Sequence, residues 1–317
     1  MQSSKAELWG PFSGKTMSLM QEKTTTVAVD TTMVMNHTTI NTKREFHSEE
    51  TSSYWLPKDE EEQQRLTAQH FAFKELYNGN ILRSVSENLD FEKGISVLDV
   101  GCGSGAWIMD MTHDYPNCTF HGCDIVDTTN KILKIDQFTF KLGNVVQGLP
   151  YEDNVFDFVH MRFFIFALRK EEWPIAIKEL IRVTKSGGML QLMESIFKVP
   201  VGSSFPTHFS DIVYSIATSK GQNIKITEEL EGMLSANDNV KVVQSDYRHC
   251  SLNTGTSTAK KLIWNTMKVM KTALPNIKSI IGLESEEDVL KYINELSYCL
   301  SHTECGFDTC CISVQKM

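Results

Sequence analysis

Residues 97–107, VLDVGCGSGAW, join a short apolar run to three glycines at alternate positions, with Asp99 two residues ahead of the first. Glycine has no Cβ, so such a turn lets backbone N–H groups come close to a ligand and takes up dihedrals that other residues avoid. Two chemistries suit it. Extended to Ala106, the stretch reads G-x-G-x-x-A, the dinucleotide pattern, and Asp124 follows at about the 20-residue interval expected of a ribose-binding acid. That reading would make the chain a Rossmann oxidoreductase.

Asp99 favours the second. A diphosphate at this turn would face a carboxylate, at a cost of about 1 to 4 kcal/mol for close like charges, whereas a cationic ligand would gain. S-adenosylmethionine carries an ammonium and a sulfonium and no phosphate, so it is the expected cofactor. A carboxylate that merely caps the turn is the plain structural alternative for Asp99.

These residues need strands and helices to hold them. From residue 95 the chain alternates: ISVLDVG, then a helix through WIMDMTHDY; TFHGCDIV, then a short helix or turn; KLGNVVQ; FDFVHMRF; a helix through EEWPIAIKELIRVTK; a GG turn; MLQLMES. The alternation predicts a mostly parallel sheet with helices on both faces, an α/β fold whose ligands sit outside the carboxyl ends of the strands. Beyond 196 come a helical stretch over 208–235, a turn at SANDN, a strand VKVVQSDYRHCSL, one or two helices between 257 and 300, and a last strand GFDTCCISVQK.

Upstream, residues 53–80 predict a helix. Asp59 and Glu62 have capping-box spacing, the first turn is acidic, and Asn78-Gly79 supplies a stop. Leu66, His70, Phe73 and Tyr77 share one face. Residues 1–50, rich in Ser, Thr and Met, lack either period and are expected to form a disordered tail that could engage a protein partner. The folded domain is then 51–317 with an N-terminal helical extension.

In order, VLDVGCGSG, GCDIVD, GNVVQGLPYEDNVFDFVHMR and ELIRVTKSGGMLQLME resemble the motif set of class I S-adenosylmethionine-dependent methyltransferases. The resemblance implies a Rossmann-like, seven-stranded, mostly parallel sheet whose last strand is antiparallel. YWLPKDEEEQQRLTAQHFAFKELYNGN and HMRFF further resemble the fungal LaeA-like methyltransferases.

The resemblance implies that Gly101, Cys102, Gly103 and Gly105 border the methionine end of the cofactor, with Cys102 and Ser104 contributing backbone. Asp99 would lie near the ammonium, Asp124 at the ribose diol, and Ile125 beside adenine. Asn144, where the family often has an acid, would reach the adenine amino group, with Val145 supplying a backbone donor. His160, Met161 and Arg162 stand where the family closes the site around the methyl. Ser186, in place of the family's usual proline, lies far from the chemistry.

Methyl transfer is an in-line displacement that needs alignment and dryness more than a strong acid or base. If the acceptor must lose a proton, His160, His70, His208 and Glu194 are the candidate bases; each also has a plain structural reading. Tyr54, Trp55, Phe163, Phe164, Phe166, Phe205 and Phe209 crowd the expected acceptor side and would suit an apolar or flat acceptor. Two functions stay open: a methyltransferase acting on a small molecule or protein, and a LaeA-like regulator that binds the cofactor with little turnover.

A net charge of -9 argues against a protein that grips nucleic acid by neutralising phosphates. Neither a membrane span nor a secretory signal is indicated, and KREFH is short for a nuclear import signal, so a cytoplasmic or nuclear location is expected. The eight cysteines follow no disulfide framework. His302, Cys305, Cys310 and Cys311 lack the usual zinc spacing, and adjacent Cys310 and Cys311 would point to opposite faces of a strand, so no metal is expected.

Overall fold

Val97, Leu98 and Val100 are apolar and β-compatible, and all are buried in the strand Ser96–Val100 (β1). In the computed structural model, which describes residues 44–49, 52–128, 136–196, 204–278 and 281–317 with the side chains of 204–209 and 276 excepted, β1 is the third strand of a seven-stranded sheet. Thr119–Asp124 (β2) and Phe138–Leu142 (β3) extend it on one side, and Phe156–Arg162 (β4) and Thr184–Ile196 (β5) on the other. Val240–Ser251 (β6) and Gly306–Lys316 (β7) complete the order β3-β2-β1-β4-β5-β7-β6. β1 to β5 are parallel; β7 runs antiparallel to both β5 and β6.

Strand order reverses between β1 and β4, and the carboxyl ends of these two strands diverge to opposite connections. A crevice therefore opens above them. Alternation of side chains decides what lies beneath it: Val97 and Phe158 point into one helical layer, Leu98, Val100, Val159 and Met161 into the other. Asp99 and His160 share the first face and are direct cross-strand neighbours.

Helices cover both faces. Ala106–Asp114 (α3) buries Trp107, Ile108 and Met111 in the first layer, joined by Glu60–Tyr77 (α1) through Phe73. Between them lies the short helix Arg83–Asn88 (α2). Trp173–Val183 (α4) buries Trp173, Ile177, Leu180 and Ile181 in the second layer, the i, i+3, i+4 spacing of an amphipathic helix. The expected 208–235 stretch is two helices, Ser204–Ser219 (α5) and Ile226–Ser235 (α6). Ser257–Ile277 (α7) and Glu286–His302 (α8) fill the 257–300 interval.

Three expectations shift. The third strand is FTFKL, which takes in only the first two residues of KLGNVVQ: Gly143 packs its Cα against Pro150 and Cys123 too tightly for a side chain, and the backbone leaves the sheet there. The GG pair lies inside β5, with Gly187 at φ 79. Order also begins ahead of residue 51. Arg44 forks onto Asp59, Nε to Oδ2 at 2.6 Å and Nη2 to Oδ1 at 3.0 Å, and reaches Thr272 of α7 at 3.1 Å. Residues 1–43, including most of the expected tail and its partner surface, lie outside the described residues.

Asp59 also receives the Glu62 N–H at 3.0 Å as N-cap of α1, and Asn78 ends the helix in the left-handed conformation. Only half of the expected capping box forms, because the Glu62 carboxylate turns inward to Arg65 at 2.6 Å, a buried pair completed by Asn265 of α7. Asp59→Ala removes cap and clamp together and is expected to lower the unfolding free energy by about 1 to 2 kcal/mol. Asp59→Asn, which keeps an acceptor, should lose less; urea unfolding of the two variants checks the order.

Candidate functional site

The crevice above β1 and β4 is a cavity of about 220 Å³. Its floor is the glycine turn. Gly101 and Cys102 donate backbone N–H groups to the Cys123 carbonyl at 2.7 and 3.2 Å, which bends the chain sharply as it leaves β1. Gly101, Gly103 and Gly105 have φ values of 68°, 52° and 76°. At Gly101 a Cβ would also stand 2.5 Å from the Phe164 ring, so glycine is required there for space as well as for conformation.

Two carboxylates line the cleft. Asp99 Oδ1 lies 2.8 Å from His160 Nδ1. A carboxylate only accepts, so Nδ1 carries the proton. The imidazole is 1% exposed, stacks on Trp107 at 4.1 Å and 7°, and is held towards its neutral form because burial outweighs the pull of Asp99. Asp99 thus has a fixed donor behind it and does not cap the turn. Asp124 Oδ2 accepts from Gly103 N at 2.9 Å and Oδ1 from Val126 N at 3.2 Å. Burial pushes its carboxyl up to about 6 against those bonds.

Ile125, Asn144 and Val145 border the same cavity, as do Cys102 and Ser104. Asn144 Oδ1 accepts from the Val146 N–H at 3.0 Å in an Asx turn, leaving its second lone pair and its NH₂ for a ligand. The Cys102 thiol is buried and pushed well up by burial, which leaves no thiolate chemistry there.

Other expected site residues stand elsewhere. Gly105 is the N-cap of α3 and is not part of the cavity wall. Met161 and His160 do not line it either: Met161 faces the opposite layer, 1% exposed, and His160 lies behind Asp99. The candidate bases are likewise held away. His70 is buried between Asp110, 3.0 Å from Nε2, and Arg162, 3.2 Å from Nδ1. Glu194 is fully buried and accepts from Phe164 N at 2.7 Å and Ile165 N at 3.2 Å. The side chains of His208, Phe205 and Phe209 lie outside the described residues.

Glu194 has a structural task instead. Phe163 adopts φ 59°, the short 3-10 turn Phe164–Phe166 follows, and the carboxyl of Glu194 caps it, which sets the Phe164 ring against Gly101. Phe163 and Phe164 line the cleft; Trp55 and Phe166 pack edge-on to one another at 5.5 Å outside it.

The N-terminal extension supplies walls that motif reasoning missed. Pro57, Lys58, Gln63 and Leu66 line the cavity, Leu66 at 3.5 Å from where a Gly103 Cβ would be, beside Tyr54, which was expected on the acceptor side. The signal available was the helix face: Leu66 was placed on it with His70 and Phe73, but a face alone does not say that it meets a ligand.

All eight cysteines are free thiols, and Cys310 and Cys311 point to opposite layers of the sheet. Among the described residues no group of three or more His, Cys, Asp and Glu could hold a metal ion, and no helix is long and apolar enough to cross a membrane.

Residues 97–188 match the family model for a methyltransferase domain. The chain is similar to a secondary metabolism regulator, laeA, of Coprinopsis cinerea, with 29% identity over 46% of this chain and 36% of that protein. It is 24% identical to the methyltransferase pytC of Aspergillus terreus over 48% of this chain and 45% of that one. With a demethylmenaquinone methyltransferase of Staphylococcus aureus it shares 31% identity over 36% of this chain and 48% of the other. The matched region thus spans less than half the length of each of these relatives.

Sheet order and glycine turn are those of a Rossmann-like fold, and residues 97–188 within it carry the match to a methyltransferase domain.

Burial pushes the Glu194 carboxyl up to about 8. Above the ordinary carboxyl value and below about 8, the folded state holds this proton while the unfolded chain has lost it, so stability falls as pH rises through that window. Urea midpoints compared near pH 6 and pH 8 should therefore differ by less in Glu194→Gln than in the parent protein.

Proposed function

We propose that the protein transfers the methyl group of S-adenosylmethionine to a small-molecule or protein acceptor. The observation that carries this reading is the pair Asp99 and Asp124 on the rim of a glycine turn. Both are cleft-lining carboxylates, which would oppose the charge of a diphosphate by about 1 to 4 kcal/mol.

The donor set fits the cofactor. Asp124, already oriented by Gly103 and Val126, has acceptor capacity left for two ribose hydroxyls. Ile125 and Val145 offer apolar contact for adenine and Asn144 a polar partner, while Gly101, Cys102 and Gly103 bring backbone close to the sulfur-bearing chain, with Asp99 at the ammonium. When bound, the donor supplies an electrophilic methyl on a sulfonium.

The chain's own contribution is alignment and exclusion of water. Leu66, Phe163, Phe164, Ala167 and Leu168 form an apolar wall beside the turn, which suits an apolar or flat acceptor approaching in line. His70, His160 and Glu194 are committed to structural bonds, so the acceleration rests on positioning rather than on proton removal by any of them.

Calorimetry and thermal melting with S-adenosylhomocysteine test the reading. The ligand should raise the melting temperature, Asp124→Ala should remove most of that shift, and NADH should give none. Affinity should weaken below about pH 6, where Asp124 becomes protonated and loses acceptor capacity, and Asp124→Asn should abolish that dependence. An NADH response without one to S-adenosylhomocysteine would replace the methyltransferase with the oxidoreductase. Ligand binding without methylated product from any acceptor would favour the regulatory protein.

A further inference from the structure

The last three residues of β6 are His249, Cys250 and Ser251. Strand alternation buries Cys250 in the first helical layer and sends His249 and Ser251 together to the other face. β7 runs antiparallel in a register that sets His249 opposite Asp308 and Ser251 opposite Gly306. A Cβ at Gly306 would overlap the His249 ring, so the glycine leaves the imidazole the place from which it reaches both neighbours.

His249 Nδ1 lies 2.9 Å from Asp308 Oδ1, and Nε2 lies 3.0 Å from Ser251 Oγ. A carboxylate only accepts, so the proton sits on Nδ1 and the Nε2 lone pair receives the Ser251 hydroxyl. That is the polarity that activates a serine: hydroxyl to imidazole, with the imidazole held in one tautomer by an acid. The serine is not spent on the backbone. It stands at the N-cap of the 3-10 turn Leu252–Thr254 without its side chain capping an N–H, and its carbonyl accepts instead from the Thr254 hydroxyl at 2.9 Å. The histidine side chain is 55% exposed and the aspartate 14%, so reagents reach the imidazole while the acid is held largely out of water. None of the three lines the cleft above β1, and β6 is the fourth strand beyond β1 in the sheet.

We propose that Ser251, His249 and Asp308 form a second, nucleophilic site that hydrolyses small activated carboxylic esters, with Ser251 as nucleophile, His249 as its base and Asp308 as the positioning residue. Ser251 Oγ attacks the ester carbonyl carbon while its proton passes to His249 Nε2. The bond from that carbon to the leaving oxygen breaks, the alcohol takes the proton from Nε2, and the acyl group remains on Ser251. Water then attacks the acyl-serine and gives a proton to Nε2. The carboxylic acid departs and that proton returns to Ser251 Oγ. The open setting suits a small reagent, and the site does not depend on what the cleft binds.

A small alkyl fluorophosphonate, which phosphonylates an activated serine with loss of fluoride, tests the site on the full-length protein. Intact mass should show a single adduct, mapped to the peptide that carries Ser251, and Ser251→Ala should lose it. His249→Gln should slow labelling about 100-fold, and it serves if Ser251→Ala does not fold. Asp308→Asn should slow labelling by more than about tenfold at an unchanged melting temperature, and Asp308→Glu should recover part of that loss. Ser257→Ala removes an exposed serine bonded to Glu75 rather than to an imidazole, and should label as the parent does. Hydrolysis of p-nitrophenyl acetate should fall in the same order.

No adduct on the parent protein, adducts only on other residues, or labelling slowed by less than about tenfold in His249→Gln overturns the proposal. The three side chains would then be a clasp between β6 and β7 and nothing more.

Discussion

Placing a carboxylate on the inner face of a central strand is costly unless a donor stands ready for it, and Asp99, 3% exposed, is such a carboxylate. The donor comes from the next strand. Because β1 and β4 run parallel in a register that sets Asp99 opposite His160, the Nδ1–H is delivered without any loop having to reach in. Trp107, the second residue of α3, then lies flat against the imidazole. One short stretch of sequence thereby supplies the buried acid, the turn above it and the aromatic lid over its partner. The cleft's charge, and the direction in which the chain leaves β1, both depend on this pairing.

A second layer of support comes from α1, which lies outside the family-matched region. It carries Leu66 to the glycine turn, His70 to Arg162 and Phe73 into the core, while its buried Glu62–Arg65 pair locks it to Asn265 of α7. Removing one member of such a pair would strand a buried charge, so the pair specifies where the helix sits more than it adds stability. The preceding strap, fastened by Arg44 to Asp59, brings Tyr54, Pro57 and Lys58 over the cavity. The extension is therefore part of the site, and a domain cut at the start of β1 would leave the cleft without one wall.

Buried histidines recur in this architecture in a consistent role. His70 and His160 are each kept towards neutrality by burial and each uses a ring nitrogen to fix another ionisable group. Glu194 does the same for a backbone turn, with a carboxyl pushed up to about 8 rather than a free anion. Groups that could act as bases are thus used as struts. Such a design suits a reaction in which the reagent carries its own electrophile and the protein's task is alignment.

The amino-acid sequence alone determined the alternating α/β order, the glycine turn with its acid and the second acid at the end of β2, while the antiparallel last strand followed from the family resemblance. These are local periodicities and close-range motifs, and the backbone cannot satisfy them in many ways. Only tertiary structure decided which side chains line the cleft. Met161 and His160 sit one residue apart on the strand beside the turn, yet alternation and register send one into the far core and the other behind Asp99. His70 and Arg162 are 92 positions apart and meet because α1 packs across the end of β4, and Phe164 reaches Gly101 because Glu194 caps its turn from β5. Contacts between residues far apart in the chain depend on the relative placement of packed elements, and no pattern within a single segment encodes that placement.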